Sequence, residues 1–205
     1  MQLASNTQRA ADLEDFDSSM SIRTTLQAIR EKNRPDGQKR PHASRNSGDS
    51  DQYRREYIKA AVAVLGAIDL DPASRPAANE LVGASESYSI TDDGVTRSWG
   101  GRIWLNPPDA PQLRAQFCAR LVQEYANGTV IAACVLVNNA TETRWFQRLA
   151  AASSAICFPR GRARSWHPDK PSSPLQGQAI FYLGDKVGDF RREFSPFGLV
   201  MEPSV

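Results

Sequence analysis

RIWLNPPDAPQLRAQFCARLVQEYANGTVIAACVLV, residues 102–137, decides the fold. It opens on a short apolar run, Arg102 to Leu105, stopped by consecutive prolines, and closes on eight unbroken apolar residues, Val130 to Val137. Apolar runs without alternation read as strands buried on both faces. Between them Leu113, Phe117, Ala119 to Leu121 and Tyr125 fall on one helical stripe within Gln112 to Ala126. The stretch is a strand, helix, strand unit.

Working outward, Thr143 to Ala152 predicts a second helix and Ala155 to Phe158 a third strand. Gln178 to Leu183 is strand-like, and Phe190 to Val200 closes a sheet edge. Upstream, AIDLDPAS (67–74) reads as a brief strand whose carboxyl end opens into a loop. Pro76 to Val82 forms a short helix, and TDDG (91–94) is a turn. Tyr53 to Gly66 places Tyr57, Ala61, Val64 and Leu65 on one helical face, with Gly66 where a C-cap belongs. Strands that alternate with helices predict an α/β fold, a mostly parallel sheet with helices on both faces.

With 205 residues, 40% of them hydrophobic, the chain can bury one sizeable core. Residues 1–52 are rich in Ser, Asn, Arg, Asp, Gln and Gly and read as a disordered tail, which leaves 53–205 as the domain. Within the tail, Ile22, Leu26 and Ile29 suit one short amphipathic helix over Met20 to Arg30. Val130 to Val137 is the longest apolar run, far short of the roughly 20 residues that span a bilayer. The opening MQLASNTQRAADLED lacks the pattern of a signal peptide, so the expected location is cytoplasmic, with no membrane partner. Lys and Arg total 25 against 23 Asp and Glu, so only local charge clusters carry information. Cys118, Cys134 and Cys157 lie singly in apolar stretches, as buried reduced thiols do. His42 and His167 are not spaced to share a metal with any of them, and no metal is expected.

In an open parallel sheet, ligands bind beyond the carboxyl ends of the strands. Three groups stand there: Asp69 and Asp71 with Pro72; Asn106, Pro107, Pro108 and Asp109; and Asn138 with Asn139. Paired prolines fix the backbone and leave peptide carbonyls without local N–H partners. The Asn106 side-chain oxygen and the Pro107 carbonyl can then accept both hydrogens of an exocyclic amino group and hold it as a nucleophile. The plainer reading is a strand that ends in a proline turn. Asp109 is also read as an N-cap, with Gln112 at the third helical position. Asp69 and Asp71 suit a loop cap as well as a ligand site, and Asn138 and Asn139 either line a pocket or begin the next helix. PRGRARSWHPDK (159–170) puts Arg160, Arg162, Arg164 and Lys170 around Trp166 in a predicted loop suited to nucleic-acid phosphates. Trp145 and Phe146 read as core.

The segments LGAIDLDPAS (65–74), TDDG, SWGGRIWLNPP (98–108), VLVNNATETRWF (135–146), ICFPRGRARS (156–165) and LQGQAIFYLG (175–184) occur in the order and spacing of the phage-type DNA adenine methyltransferases. The chain resembles this phage Dam family over about residues 50 to 200. The resemblance implies a Rossmann-like methyltransferase fold, S-adenosylmethionine as cofactor, double-stranded DNA as partner and the adenine amino group as acceptor. It places the family's Asn/Asp-Pro-Pro-aromatic motif on Asn106, Pro107 and Pro108, with Asp109 where the family carries a stacking ring. Tyr88, Trp104 or Trp166 is then the candidate to supply the ring. It assigns Asp69, Asp71 and Pro72 to the methyl donor, Asn138 and Asn139 to the base pocket, and Arg160, Arg162, Arg164 and Trp166 to DNA. The Thr-Pro pair that the family places before its first helix is absent from SDQYRREYI (50–58). An alternative reading is a catalytically degenerate homologue that acts as a DNA-binding or regulatory protein.

Overall fold

The computed structural model describes residues 48–161, 164–167, 170–174 and 176–203. Residues 1–47 of the tail expected over 1–52, its Met20 to Arg30 helix and Arg162 lie outside them. The order of elements is α1 (Gly48–Leu65), β1 (Leu70–Asp71), α2 (Pro76–Val82), β2 (Glu86–Ser87), β3 (Gly101–Leu105), α3 (Pro111–Ala126), β4 (Val130–Asn138), α4 (Arg144–Ala152), β5 (Ala155–Pro159), β6 (Arg164–His167), β7 (Lys170–Pro174), β8 (Gln178–Leu183), α5 (Val187–Phe194) and β9 (Gly198–Met201).

Seven strands form one sheet in the order β2-β1-β3-β4-β8-β5-β9. Ladders from β2 to β4 are parallel, whereas β4–β8, β8–β5 and β5–β9 are antiparallel. The sheet is therefore mixed, which corrects the mostly parallel expectation, although β1 to β5 all run one way. Parallel neighbours need a long crossover, usually a helix. Between β5 and β8 the chain instead folds the β6–β7 hairpin, so β8 re-enters from the edge at which β5 left and must run backwards. Within the basic stretch expected as a loop, Arg164 to His167 form β6, which pairs with β7 and lies against α1.

Side-chain alternation builds two cores, one on each face of the sheet. Ile103, Leu105, Val135, Val137 and Phe181 pack under α3 and α4 with Phe117, Leu121, Phe146 and Leu149. Trp104, Cys134, Leu136, Ile180 and Tyr182 face α1 and α5 with Tyr57, Ala61, Phe190 and Phe194. The three cysteines are buried and free. Burial pushes the thiols of Cys118 and Cys157 up to about 12, which makes them core groups and not nucleophiles.

Helix α1 starts five residues before Tyr53, and Gly66 closes it at φ +85 as a left-handed C-cap. The stretch Phe190 to Val200 divides into the end of α5 and strand β9. No described helix is long and apolar enough to cross a membrane, and no cluster of His, Cys, Asp or Glu among the described residues can hold a metal.

Candidate active site

From β1 the chain moves through α2 to β2 on one side, and from β3 through α3 to β4 on the other. Adjacent strands β1 and β3 thus form the switch point of the sheet, and the crevice of an open α/β sheet opens at their carboxyl ends. Asp71 ends β1 and Asn106 follows β3, so the topology brings these two expected site residues together. Leu70 pairs with Ile103, which puts Asp71 level with Trp104 and one strand spacing, about 5 Å, away.

Asp69 and Asp71, two residues apart, have opposite fates. Asp69 lies at the amino end of β1 and accepts from Arg102 Nε at 2.8 Å, Arg102 Nη2 at 2.7 Å and the Arg102 backbone N–H at 2.8 Å. These bonds hold its carboxyl below the usual range. Gly101 makes the contact possible, because a Cβ there would stand 2.6 Å from Asp69 Oδ2. The charge of Asp69, expected to serve the donor, is matched by Arg102, and the side chain also lines a cavity at this end of the sheet. Asp71 is 2% exposed and accepts the Ala73 N–H at 3.2 Å. It has no cationic partner among the described residues, and burial pushes its carboxyl up to about 6. Pro72 is buried beside it.

The corner after β3 is half-buried at Asn106 and Pro108 and buried at Pro107. Among the described residues the Asn106 amide has no hydrogen-bond partner, and no backbone N–H reaches the Pro107 carbonyl. Asp109 is not an N-cap. Ala110 takes that position without a side-chain bond, and Pro111 starts the helix. The Asp109 carboxylate instead accepts from Arg114 Nη2 and from Asn138 Nδ2, each at 3.1 Å, and ties the end of β3 to the end of β4. Arg114 lies 5.6 Å from the centre of the Trp145 ring, which gives this side chain a contact at the rim besides its place on the core.

Asn139 donates its backbone N–H to Gly177 at 2.6 Å, while its side-chain oxygen is buried with no partner among the described residues. Asn138, spent on Asp109, and Asn139 with its free acceptor thus differ within the expected base pocket. Trp104 is 2% exposed in the core under α1, so it cannot offer a stacking face. Arg160 is exposed just after β5, and Arg164 and Trp166 fall on β6.

Two shallow cavities flank the β1–β2 side. One of about 460 Å³ lies at the carboxyl end of β2, lined by Arg75, Asn79, Glu80, Ser87, Ser89 and Asp92. The other, about 560 Å³, takes in Tyr88, Arg97 and Trp99. Asn106 lines neither. Apart from Tyr88, sequence reading missed these residues because β2 is two residues long and leaves no periodic signal. It missed Arg114 because a single Arg in a helical stripe marks nothing until its partners are seen. No family model matches the chain, and no curated protein matches it.

Proposed function

We propose that the chain has a Rossmann-like methyltransferase fold and transfers a methyl group from S-adenosylmethionine to the exocyclic amino group of adenine in DNA. One observation carries the reading: an Asn106 amide on a two-proline corner stands across the sheet's switch point from a buried carboxylate, Asp71, and among the described residues the amide has no partner and the carboxylate no cation. Buried charges are paired in folded proteins, so an unpaired one fits a site completed by a positively charged ligand. Asp71 would take the ammonium of the donor's methionine part, with Ser87, Ser89 and Asp92 beside it as hydroxyl and carboxylate groups for the ribose. When bound, S-adenosylmethionine supplies an electrophilic methyl group on sulfur.

The chain's own residues then do three things. Asn106 Oδ1 and the Pro107 carbonyl accept the two amino hydrogens, which fixes the nitrogen and turns its lone pair out of the ring plane. The prolines hold both acceptors still, so little reorganisation is needed as charge develops. Asn139, with its unsatisfied oxygen, offers a further acceptor at the neighbouring strand end.

The second reading, a degenerate homologue that binds DNA without modifying it, is favoured by Asp109. A charged carboxylate locked to Arg114 and Asn138 stands where a stacking ring would add roughly 1–3 kcal/mol. Tritiated methyl transfer to unmethylated DNA, with Asn106→Ala as control, tests both. Incorporation that falls at least about 100-fold in the variant supports the enzyme. Folded protein that binds DNA and incorporates nothing supports the second reading. A chain whose thermal midpoint ignores S-adenosylmethionine and that neither binds nor methylates DNA overturns both.

A further inference from the structure

Four arginines of the described residues are matched by carboxylates: Arg102 by Asp69, Arg120 by Glu124, Arg191 by Glu202, and Arg192 by Asp189 and Glu193, whereas Arg97 and Arg148 are exposed and have no such partner among the described residues. On the rim, Arg75 follows β1, Arg144 opens α4 after β4, and Arg160 follows β5. All three are exposed, and none has a carboxylate partner among the described residues.

Arg55 joins them through the course of α1. The far end of that helix lies at the amino end of the sheet, where the Leu65 carbonyl accepts from Arg102 Nη1 at 3.4 Å. Its first half therefore lies toward the rim, where Tyr57 meets Phe197 edge to face at 5.0 Å. Phe197 in turn accepts the Arg160 backbone N–H at 2.8 Å. Arg55 is exposed and has no ion pair with another described side chain. Of the rim carboxylates, Asp109 is already tied to Arg114 and Asp71 is buried, which leaves Glu56, Glu80, Asp92 and Glu142.

We infer that Arg55, Arg75, Arg144 and Arg160 form a track for the phosphates of duplex DNA, running along the carboxyl rim on either side of the Asn106 corner. The inference rests on the proposed function and adds to it the protein's grip on the DNA backbone, including Arg55, Arg75 and Arg144, which sequence reading did not single out. Strands β1, β4 and β5 lie two sheet positions apart in turn, so the strand ends that these arginines follow are spaced by about 10 Å. A duplex carries a phosphate about every 3.4 Å of axis on each strand, so side chains with such spacing meet phosphates over roughly 20 Å without demanding a sequence. Charges that have no internal partner are the ones free to displace counterions. Phosphate contacts of this kind set position and affinity, while the corner at Asn106 handles the base.

The test is the salt dependence of binding to a short duplex, by fluorescence anisotropy between roughly 50 and 200 mM salt. In a variant carrying Arg55→Gln, Arg75→Gln, Arg144→Gln and Arg160→Gln, the slope of log K against log salt is expected to fall by about 3 to 4. The pair Arg191→Gln and Arg192→Gln, which removes paired charge from α5, is expected to leave the slope within about 1 of the parent. A slope equally unchanged in both overturns the track, and so does equal binding of a polyglutamate chain. Methyl transfer at low salt, read on the same proteins, separates the two ideas. If the slope falls but no protein transfers methyl groups, the track stands and the enzyme fails; if transfer persists with an unchanged slope, the enzyme stands and the track fails.

Discussion

The two halves of the sheet are built for different work. In the antiparallel half, β8 lies between β4 and β5 with every apolar residue buried, and Tyr182, Phe190 and Phe194 stack behind it at centroid distances of 5.2 and 4.4 Å. In the parallel half, β1 and β2 are two residues each, and the strand ends carry a buried carboxylate with no cation, an amide at Asn106 with no partner and a buried orphan oxygen at Asn139, all counted among the described residues. Local rules of packing and polar satisfaction are kept in one half and broken in the other. Such violations collect at functional sites and are offset elsewhere in the fold. The aromatic stack is that offset.

Truncation of the stack tests this division most severely. Phe190 is fully buried between two rings, and Phe190→Ala is expected to cost about 3–5 kcal/mol, read as a lower denaturant midpoint at constant slope. Asn106→Ala, in the other half, is expected to change stability by no more than about 0.5 kcal/mol. Comparable losses from both would erase the distinction.

A middle-sized effect of opposite sign is expected at Asp71. Burial pushes its carboxyl up to about 6 in the fold, against 3.8 for a free aspartate, so between those values the folded protein holds a proton that the unfolded chain has released. Stability is fully present below about pH 4, falls as pH rises to about 6 and then levels, for a total on the order of 2–3 kcal/mol. Asp71→Asn removes the charge, keeps an acceptor for Ala73, and is expected to regain about 2 kcal/mol at pH 8 while abolishing the thermal shift given by S-adenosylmethionine. A variant that is no more stable than its parent at pH 8 would mean that something already compensates Asp71, and the case for a cationic ligand there would lapse.

The same division governs how much was legible in the sequence. Periodicity located α2 and β8 to the residue and α3, α4 and β4 to within one, because long apolar runs and helical stripes survive any tertiary context. It could not give the direction of β8, since an apolar run such as AIFYL reads alike both ways and the hairpin that reverses it lies in a basic stretch with no alternation. Two-residue strands left no pattern either, so β2 and the cavity at its end went unseen. At the site, the position of Asn106 after a strand was legible. The separation of Asp69 from Asp71 was not, because it depends on Arg102 lying on the neighbouring strand, 33 residues away in the chain. Asp109 misled for a related reason: a cap signature is local, whereas its real partners sit on α3 and at the end of β4.

The smallest effect on stability, and the one that bears most on function, is expected at Asp109. Its side chain is 84% exposed, so although it joins two strand ends the ion pair with Arg114 is of the kind that contributes about 0–1 kcal/mol. Asp109→Ala should accordingly unfold like the parent. If the corner works by clamping an amino group, Asp109→Ala keeps kcat, and Asp109→Tyr lowers KM for DNA by about 10-fold or more, since a ring stacked on the base contributes roughly 1–3 kcal/mol. Steady-state methyl transfer on all three proteins reads this directly. Loss of kcat in Asp109→Ala would instead make the carboxylate, with Arg114 and Asn138 holding it, part of what the substrate touches, and the acceptor would then be recognised by its hydrogen-bonding edge and not by its face.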